Sequence, residues 1–513
     1  MSTTTSTAPA QITPREGTLA VVALLVIGAI ATVAGAVAGN GNPLFALVPA
    51  VGVAALAVTW VAPLRIPLLV TLFLSLALDA TDEGPWNSPL AKFGYLLSAN
   101  LNKSLPIGFL AFPGIALILG LLVVIHAHRV LRGATIDGVT RRMIPGPSLQ
   151  ALAVSLAAVV WLCLLGLKRG GDMQMAKLQV TSYVLLLLVA YLSAMSFRGM
   201  RDYKLLGGVI LAAACIKSVY ALFVVMTVKP PFELSNGRLA FATTHGESLL
   251  FALAAVMVIV WFAERPQRQI GILCAVTLPL LIAGMHANNR RLVWVQVAAC
   301  LALFWVMSRR SQLKRIAAYA LLASTPLIFG YIAVGWNSKS SIFAPIQTFR
   351  SVGDGNVDAS TLYRDLENYN LLMTMRANPM LGTGFGHPFA EIVKLPDISF
   401  FKEYRYMPHN SILGLWAFCG PFGFSGLMVA LVAGIFFAVR SYSFARDPDT
   451  RTVAFTALAA ILIFLIHCWG DIGFAERKSI FLVGPALAIA GQLTISTGAW
   501  RRAVAPSKPR GVR

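Results

Sequence analysis

Long apolar runs recur along almost the whole chain and constrain its fold more than any other feature. Runs of about 20 hydrophobic residues alternate with short charged connectors, and about 20 apolar residues are what a helix needs to cross a bilayer. Only 12% of the 513 residues are charged, about half the fraction of an average soluble protein. The sequence therefore predicts an all-α polytopic membrane protein and excludes a water-soluble one.

The apolar pattern places fourteen predicted spans and divides the chain into four parts. Residues 1–335 hold the N-terminal transmembrane helices, 336–408 form one large loop, 409–498 hold the C-terminal transmembrane helices, and 499–513 form a basic tail. Loops this long carry function or their own structure. The predicted spans are 18–39, 44–62, 64–78, 106–125, 148–167, 178–196, 205–228, 246–263, 269–285, 292–307, 316–335, 409–439, 452–469 and 479–498.

Basic residues are unevenly divided between the two faces that these spans define. The face with both termini carries 23 Lys and Arg against six acidic residues, whereas the face with the 336–408 loop carries 18 against fifteen in longer connectors. By the positive-inside rule the first face is cytoplasmic and the loop faces outward. This pattern accounts for the net charge of +21 without the basic and aromatic groove that nucleic acid requires. We expect a membrane and no nucleic acid as partners.

One charge lies clearly inside a predicted span. Lys217 sits in the span 205–228, and an ionisable group inside a membrane helix is a functional candidate. The alternative is a lysine that is ion-paired inside the helix bundle. The six cysteines all fall in apolar runs without a C-x-x-C pair, which predicts packing residues rather than disulfides or metal ligands.

The large loop contains the longest polar segment of the chain. Leu362, Leu366, Tyr369 and Met373 recur at helical spacing, which predicts an amphipathic helix on the membrane surface or against the bundle. The dipeptide 378–379, Asn-Pro, should end this helix. The run from Gly382 through Gly384 to Gly386 then allows sharp turns and close approach of another group.

Four arginines lie on the outward face and could bind an anion. Arg238 precedes the eighth span, Arg290 and Arg291 lie between the ninth and tenth, and Arg364 opens the amphipathic helix. Guanidinium groups bind phosphates bidentately and would stabilise a departing diphosphate. For Arg290 and Arg291 the alternative is that they anchor a helix at the membrane boundary.

His409 stands where the loop returns to the membrane, and two interpretations remain open. A histidine can take a proton from an attacking sugar hydroxyl near neutral pH. Alternatively, His409 and Asn410 belong to a helix start in which Asn410 supplies the cap. Five outward histidines also raise the question of zinc, but their spacing matches no compact ligand set. With no D-x-D pair on this face, we expect neither a metal nor another cofactor.

The region 363–426, about 65 residues long, resembles the signature of the bacterial O-antigen ligase and O-antigen polymerase superfamily. Its members show N-P-x-x-G-x-G-x-G in the periplasmic loop, then H-N-x-x-L and a glycine pair. Residues 378–386, 409–413 and the pair Gly420 and Gly423 match these elements. The resemblance implies an inner-membrane glycosyltransferase whose active site faces the periplasm.

The resemblance further implies the reaction and the roles of residues. A glycan would pass from an undecaprenyl-diphosphate carrier to an acceptor sugar by an inverting, metal-independent step. The arginines that bind the diphosphate fall on Arg238 and on Arg290 or Arg291, and the essential histidine falls on His409. The acceptor is a lipid A core in ligases and another glycan in polymerases, and the sequence leaves both open. The alternative function is a transporter or flippase of lipid-linked saccharide, which would need more charged residues along a path through the spans.

Overall fold

A computed structural model of the chain describes residues 43–78, 112–131, 145–227, 242–244, 246–338, 359–396 and 403–500, with a few single positions between these ranges. The described residues form fourteen helices and no strand. In chain order they are α1 Pro43–Val61, α2 Arg65–Ala77, α3 Gly114–Leu131, α4 Gly146–Lys168, α5 Met173–Ser196, α6 Met200–Thr227, α7 Gly246–Glu264, α8 Arg268–Ala287, α9 Leu292–Met307, α10 Gln312–Gly335, α11 Ala359–Ala377, α12 Ser411–Phe444, α13 Pro448–Gly470 and α14 Arg477–Ser496.

The helices confirm an all-α polytopic membrane fold. Ten of the described helices are long and apolar enough to cross a bilayer, whereas α2 and α9 are shorter, at 13 and 16 residues. Thirteen of the fourteen predicted spans coincide with a described helix, and the span predicted at 18–39 lies largely outside the described residues. Hydropathy alone therefore located the helices, because a membrane helix must be apolar over its whole length.

Two helices form the centre of the bundle. The most apolar stretch of α14 is 89% buried, and that of α7 is 72% buried. No part of the corresponding stretch of α10 is buried. α14 packs against α5, α12 and α13, and α7 packs against α8, α9 and α13. Small residues allow these close contacts: a Cβ at Gly484 of α14 would lie 2.9 Å from the Val189 side chain of α5.

The predicted amphipathic helix is present as α11, and the face through which it packs is not the predicted apolar one. It packs against α12, and Leu362 and Tyr369, which belong to the predicted apolar face, are about half exposed, at 51% and 43%. The buried face is largely polar and carries Glu367, Asn370 and Thr374. Hydropathy gives no sign of this polar face, because its side chains bond to the loop that follows α11, as Asn370 does with the backbone of residues 392 and 393.

α12 is interrupted one quarter of the way along its length. Gly420 has φ 59° and ψ 177°, and Pro421 follows it. Proline has no N–H to donate and glycine tolerates the left-handed region, so the helix is broken at this pair. The break releases the carbonyl groups of Ala417 and Phe418, which accept hydrogen bonds from the backbone N–H groups of Thr383 (3.3 Å) and Gly384 (2.8 Å).

Candidate functional site

A cavity of about 390 Å³ opens where several helix ends meet, and His409 lies in its wall. The C-terminal ends of α2 and α13 and the N-terminal ends of α3, α5 and α14 contribute to it. All these ends belong to the face that the charge distribution assigns to the outside. Its volume falls within the roughly 300–1,000 Å³ of ligand-binding clefts. Its polar lining includes Gln174, Lys177, His409, His467, Asp471 and Arg477.

Hydrogen bonds join the three elements that form most of the polar wall. Gln179 of α5 donates to the carbonyl of Tyr406 (2.9 Å), just before His409. Ser182 of α5 donates to the carbonyl of Ala475 (3.1 Å) in the turn between α13 and α14. Ser411, the first residue of α12, donates to the carbonyl of Asp471 in the same turn (3.2 Å). The side chains of these elements are thereby held around one space.

His409 is held by a buried carboxylate. The backbone N–H of His409 donates to Oε2 of Glu367 (2.9 Å), and its Nδ1 lies 3.3 Å from Oε1 of the same side chain. Glu367 is completely buried, while the side chain of His409 is 26% exposed. A carboxylate only accepts hydrogen bonds, so this pairing puts the ring proton on Nδ1 and leaves Nε2 able to accept another.

Tyr363, one turn before Glu367, completes the surroundings of His409. Its ring meets the imidazole edge to face with centroids 5.4 Å apart. Burial, followed by the charge of the Glu367 carboxylate, holds the pKa of Tyr363 well above its usual value. The phenol therefore remains protonated and cannot compete with His409 as a base at physiological pH.

Asn410 caps α12, as the sequence suggested. Its side-chain oxygen accepts a hydrogen bond from the backbone N–H of Leu413 (3.1 Å). Because Asn410 supplies the cap alone, the imidazole of His409 takes no part in capping and is turned towards Glu367. Capping is therefore the role of Asn410, and catalysis by His409 stays a hypothesis.

The glycine run passes between three helices at distances that exclude side chains. Gly382, Gly384 and Gly386 have φ of 63°, 84° and 89°, in the region that favours glycine. A Cβ at Gly384 would lie 2.5 Å from Cα of Gly166 in α4, and one at Gly386 would lie 2.6 Å from the carbonyl oxygen of Asp172 at the start of α5. The run therefore fixes the loop after α11 against α4, α5 and the broken part of α12.

The predicted anion-binding arginines that the structure describes are absent from the described wall of this cavity. Arg290 is half-buried and Arg291 exposed in the turn between α8 and α9, and the neighbouring Asn288 accepts hydrogen bonds from the backbone N–H and the hydroxyl of Thr243 (3.1 and 2.9 Å). Arg238 lies outside the described residues, five positions before Thr243 in the sequence. Of the three described arginines (Arg290, Arg291 and Arg364), none is among the described residues that line the cavity.

Lys217 is ion-paired inside the bundle, in agreement with the second of its two interpretations. Its Nζ lies 3.1 Å from Oε1 of Glu247, and Lys478 binds the same oxygen. The hydroxyl of Thr244 also donates to the Glu247 carboxylate, and all four residues are buried. The cluster joins α6, α7 and α14 and brings Lys478 to the cavity wall.

The remaining outward histidines do not share one position. His387 lies with Nε2 3.0 Å from the carbonyl oxygen of Gly166, where it supports the glycine run. His467 is buried in the cavity wall, His286 is exposed, and His245 lies outside the described residues. No three metal-binding side chains come together within the described parts of the chain.

Sequence reasoning did not single out Glu367, Lys177 or Arg477 as site residues. Glu367 is one of several polar residues of the predicted amphipathic helix, and no motif distinguishes it, although it lies four residues after Tyr363 and three before Asn370 on one face. The two cations were counted on the outward face but had no motif around them. Their place in the cavity depends on contacts between residues almost 300 positions apart, such as Ser182 with Ala475, which local patterns do not reveal.

The chain is similar to a known family over part of its length. Residues 276–428 match the family model described as O-antigen ligase. The match spans α8 to the first half of α12, and it includes Arg290, Glu367, the glycine run and His409. No curated protein matches the chain.

Proposed function

We propose, from the match of residues 276–428 to the O-antigen ligase family model, that this chain is a member of the O-antigen ligase and polymerase superfamily and transfers a glycan from an undecaprenyl-diphosphate carrier to an acceptor sugar. The reaction takes place at the periplasmic face of the inner membrane. It inverts the configuration at the transferred sugar and uses no metal. The observation that carries this proposal is the buried Glu367 that holds His409 in the wall of a cavity.

His409 acts as the general base in this proposal. An acceptor hydroxyl attacks the anomeric carbon of the donor sugar and gives its proton to Nε2 of His409. The new carbon–oxygen bond forms as the bond to the diphosphate breaks, and the bonding electrons leave with the diphosphate. A single displacement of this kind inverts the anomeric centre. Glu367 stabilises the imidazolium that results, because its carboxylate faces Nδ1 at 3.3 Å.

The departing diphosphate needs positive charge rather than a proton. We assign this role to Arg238 and to Arg290 or Arg291, with Arg364 as a further contributor from α11. Support comes from Asn288 and Thr243, whose hydrogen bonds join the turn that carries Arg290 and Arg291 to the segment that follows Arg238. Arg364 lies one turn before Glu367 on the same helix and is half-buried.

Gene deletion with complementation tests the proposal. A deletion strain should accumulate the lipid-linked donor and lose the surface glycan built from it, and the wild-type gene should restore that glycan. The His409→Ala gene should fail to restore it at an equal protein level in the membrane. Accumulation of single repeats on the surface lipid would identify a polymerase, and complete loss of the surface glycan would identify a ligase. A deletion strain with an unchanged surface glycan and no accumulated donor would contradict glycan transfer.

A further inference from the structure

The wall of the His409 cavity carries two cations that are distinct from the predicted arginines. Lys177 lies on the first turns of α5, and Arg477 is the first residue of α14. The hydrogen bond of Gln179 to Tyr406 brings the Lys177 segment beside the residues that lead to His409. Arg477 is partly buried and donates to the carbonyl of Ser98. Both cations therefore border the space that His409 also borders.

Two acidic residues and a third cation also line this cavity, and each contacts other groups of the protein. Asp471 accepts the backbone N–H of Ile472 (2.9 Å). Glu476 accepts the backbone N–H of Lys478 (3.0 Å), and the amine of Lys478 pairs with the buried Glu247. The lining thus holds three cations and two carboxylates. Glu247 behind it is shared by Lys478 and Lys217, so the formal charge around the cavity is positive.

Neutral polar groups complete this part of the wall. Gln174, Thr181 and Ser182 face the cavity from α5, and amides and hydroxyls are the groups that bind sugar hydroxyls in ligand pockets. Charge-assisted hydrogen bonds from lysine and arginine favour phosphate or carboxylate oxygens. The lining therefore suits a saccharide that carries an anionic group better than a neutral one.

The position of the base decides which substrate this is. If His409 is the base of the proposed function, the acceptor hydroxyl must lie within about 2.6–3.2 Å of its imidazole. The acceptor sugar then occupies this cavity, whereas the arginines assigned to the donor lie on other segments. We propose, on the basis of that function, that Lys177 and Arg477 form an acceptor subsite for an anionic group, either a diphosphate on the acceptor's carrier or a carboxylate on an acidic sugar.

Calorimetric titration of the purified full-length protein in detergent tests the subsite without requiring turnover. The probes are inorganic pyrophosphate and glucuronate, with glucose as the neutral control. The measurements use an Arg290→Ala/Arg291→Ala background, which removes two of the four arginines assigned to the donor. We expect at least one anion to bind, and Lys177→Gln with Arg477→Gln to weaken it about 10- to 100-fold. The double substitution Lys177→Arg with Arg477→Lys keeps both positive charges and should retain most of the binding. The loss in the glutamine variant would then come from the missing charge and not from misfolding.

A matched control comes from Lys168, an exposed lysine at the same end of the bundle that is absent from the described lining of the cavity. Lys168→Gln should bind the anions as the background protein does. Binding of pyrophosphate alone would identify a carrier-linked acceptor, and binding of glucuronate alone an acidic sugar. Anion binding that is equal in the Lys177→Gln/Arg477→Gln protein, or absent altogether, would overturn the subsite.

A kinetic measurement separates this proposal from the proposed function. In membranes that transfer glycan, Lys177→Gln should raise KM for the acceptor and leave KM for the lipid-linked donor unchanged. A rise in the donor KM alone would overturn the assignment to the acceptor. Failure of the wild-type protein to transfer any glycan would instead contradict the proposed function, while the anion titration would still report whether Lys177 and Arg477 bind.

Discussion

Glu367 is the residue on which the proposed base depends, because its carboxylate fixes the imidazole of His409. Glu367→Gln preserves the size of the buried side chain, but the amide can donate to Nδ1 and so place the ring proton on Nε2. A base with a proton on its reacting nitrogen cannot accept another. We therefore expect transfer to fall by up to about 10⁴-fold, as in serine protease triads with the wrong tautomer, measured as transfer rate per amount of protein in the membrane. Full activity of Glu367→Gln would assign it to packing.

His409→Ala removes the proposed base itself. Transfer should fall by roughly 10²–10⁴-fold, the contribution typical of a general base. Binding of the lipid-linked donor should persist, because the arginines hold its charge. The measurement is the rate of glycan transfer by purified protein, together with donor binding under the same conditions.

Two histidines serve as controls for His409. His387→Ala and His245→Ala should be milder, and added chelator should have no effect on the wild-type rate. A His409→Ala protein that transfers at nearly the wild-type rate would show that another group accepts the proton. A protein that fails only because it no longer binds donor would move His409 from catalysis to donor binding.

Arg290 and Arg291 form a pair in which one or both should bind the diphosphate. Arg238→Ala should lower transfer roughly 10- to 100-fold or more, and so should alanine at one or both of Arg290 and Arg291. Each replacement removes a charge-assisted contact to the diphosphate. Lysine should rescue only partly, since a point charge lacks the bidentate fork. Transfer assays at matched protein levels measure both effects. If alanine at both Arg290 and Arg291 leaves activity intact, the pair anchors the membrane boundary.

At the scale of elements, the glycine run holds the loop after α11 in place through close backbone contacts. Gly384→Ala introduces a Cβ 2.5 Å from Cα of Gly166 at a residue with φ 84°. The left-handed conformation alone costs about 1–2 kcal/mol for a residue with a side chain, and the contact with α4 adds to that cost. We expect a lower apparent melting temperature in detergent and less active protein.

Gly170→Ala is the matched control for this substitution. Gly170 has nearly the same conformation, with φ 86°, but a Cβ there would have no neighbour within 4 Å. It should therefore show the conformational cost without the contact. Equal losses in the two variants would mean that the approach of α4 to the glycine run contributes nothing to stability.

The sequence predicted some elements well and others poorly, for physical reasons. Membrane helices were located because burial in lipid demands apolar residues on all sides, and the end of α11 was located because Asn378 and Pro379 stop a helix. The face through which α11 packs was not predicted. Its buried face is polar, with Glu367 bonded to His409 and Thr374 bonded to Ala390, and a buried polar face that is satisfied by distant partners has no hydropathy signal.

At the scale of the whole molecule, five of the helix ends assigned to the outside gather around one cavity. The sequence identified the glycine run and His409 as site residues. The turn between α13 and α14 entered only through its charges, which were counted on the outward face. Their assembly was not predicted, because it depends on contacts such as Ser411 with Asp471, sixty residues apart. The charge distribution predicts the orientation of this assembly in the membrane. That prediction does not depend on the contacts that form the cavity.

That orientation is the last prediction. Both termini and residues 129–142 should be cytoplasmic, and Ser340, Asp358 and Lys394 should be periplasmic, because the first group belongs to the face with 23 basic and only six acidic residues. Single cysteines at these sites, in a chain without its six native cysteines, should react with an impermeant thiol reagent in intact cells only in the second group. Permeabilised cells supply the control, since all sites should then react. Labelling of the tail beyond Arg501 in intact cells would place His409 and its cavity on the cytoplasmic side, where a periplasmic acceptor could not reach them.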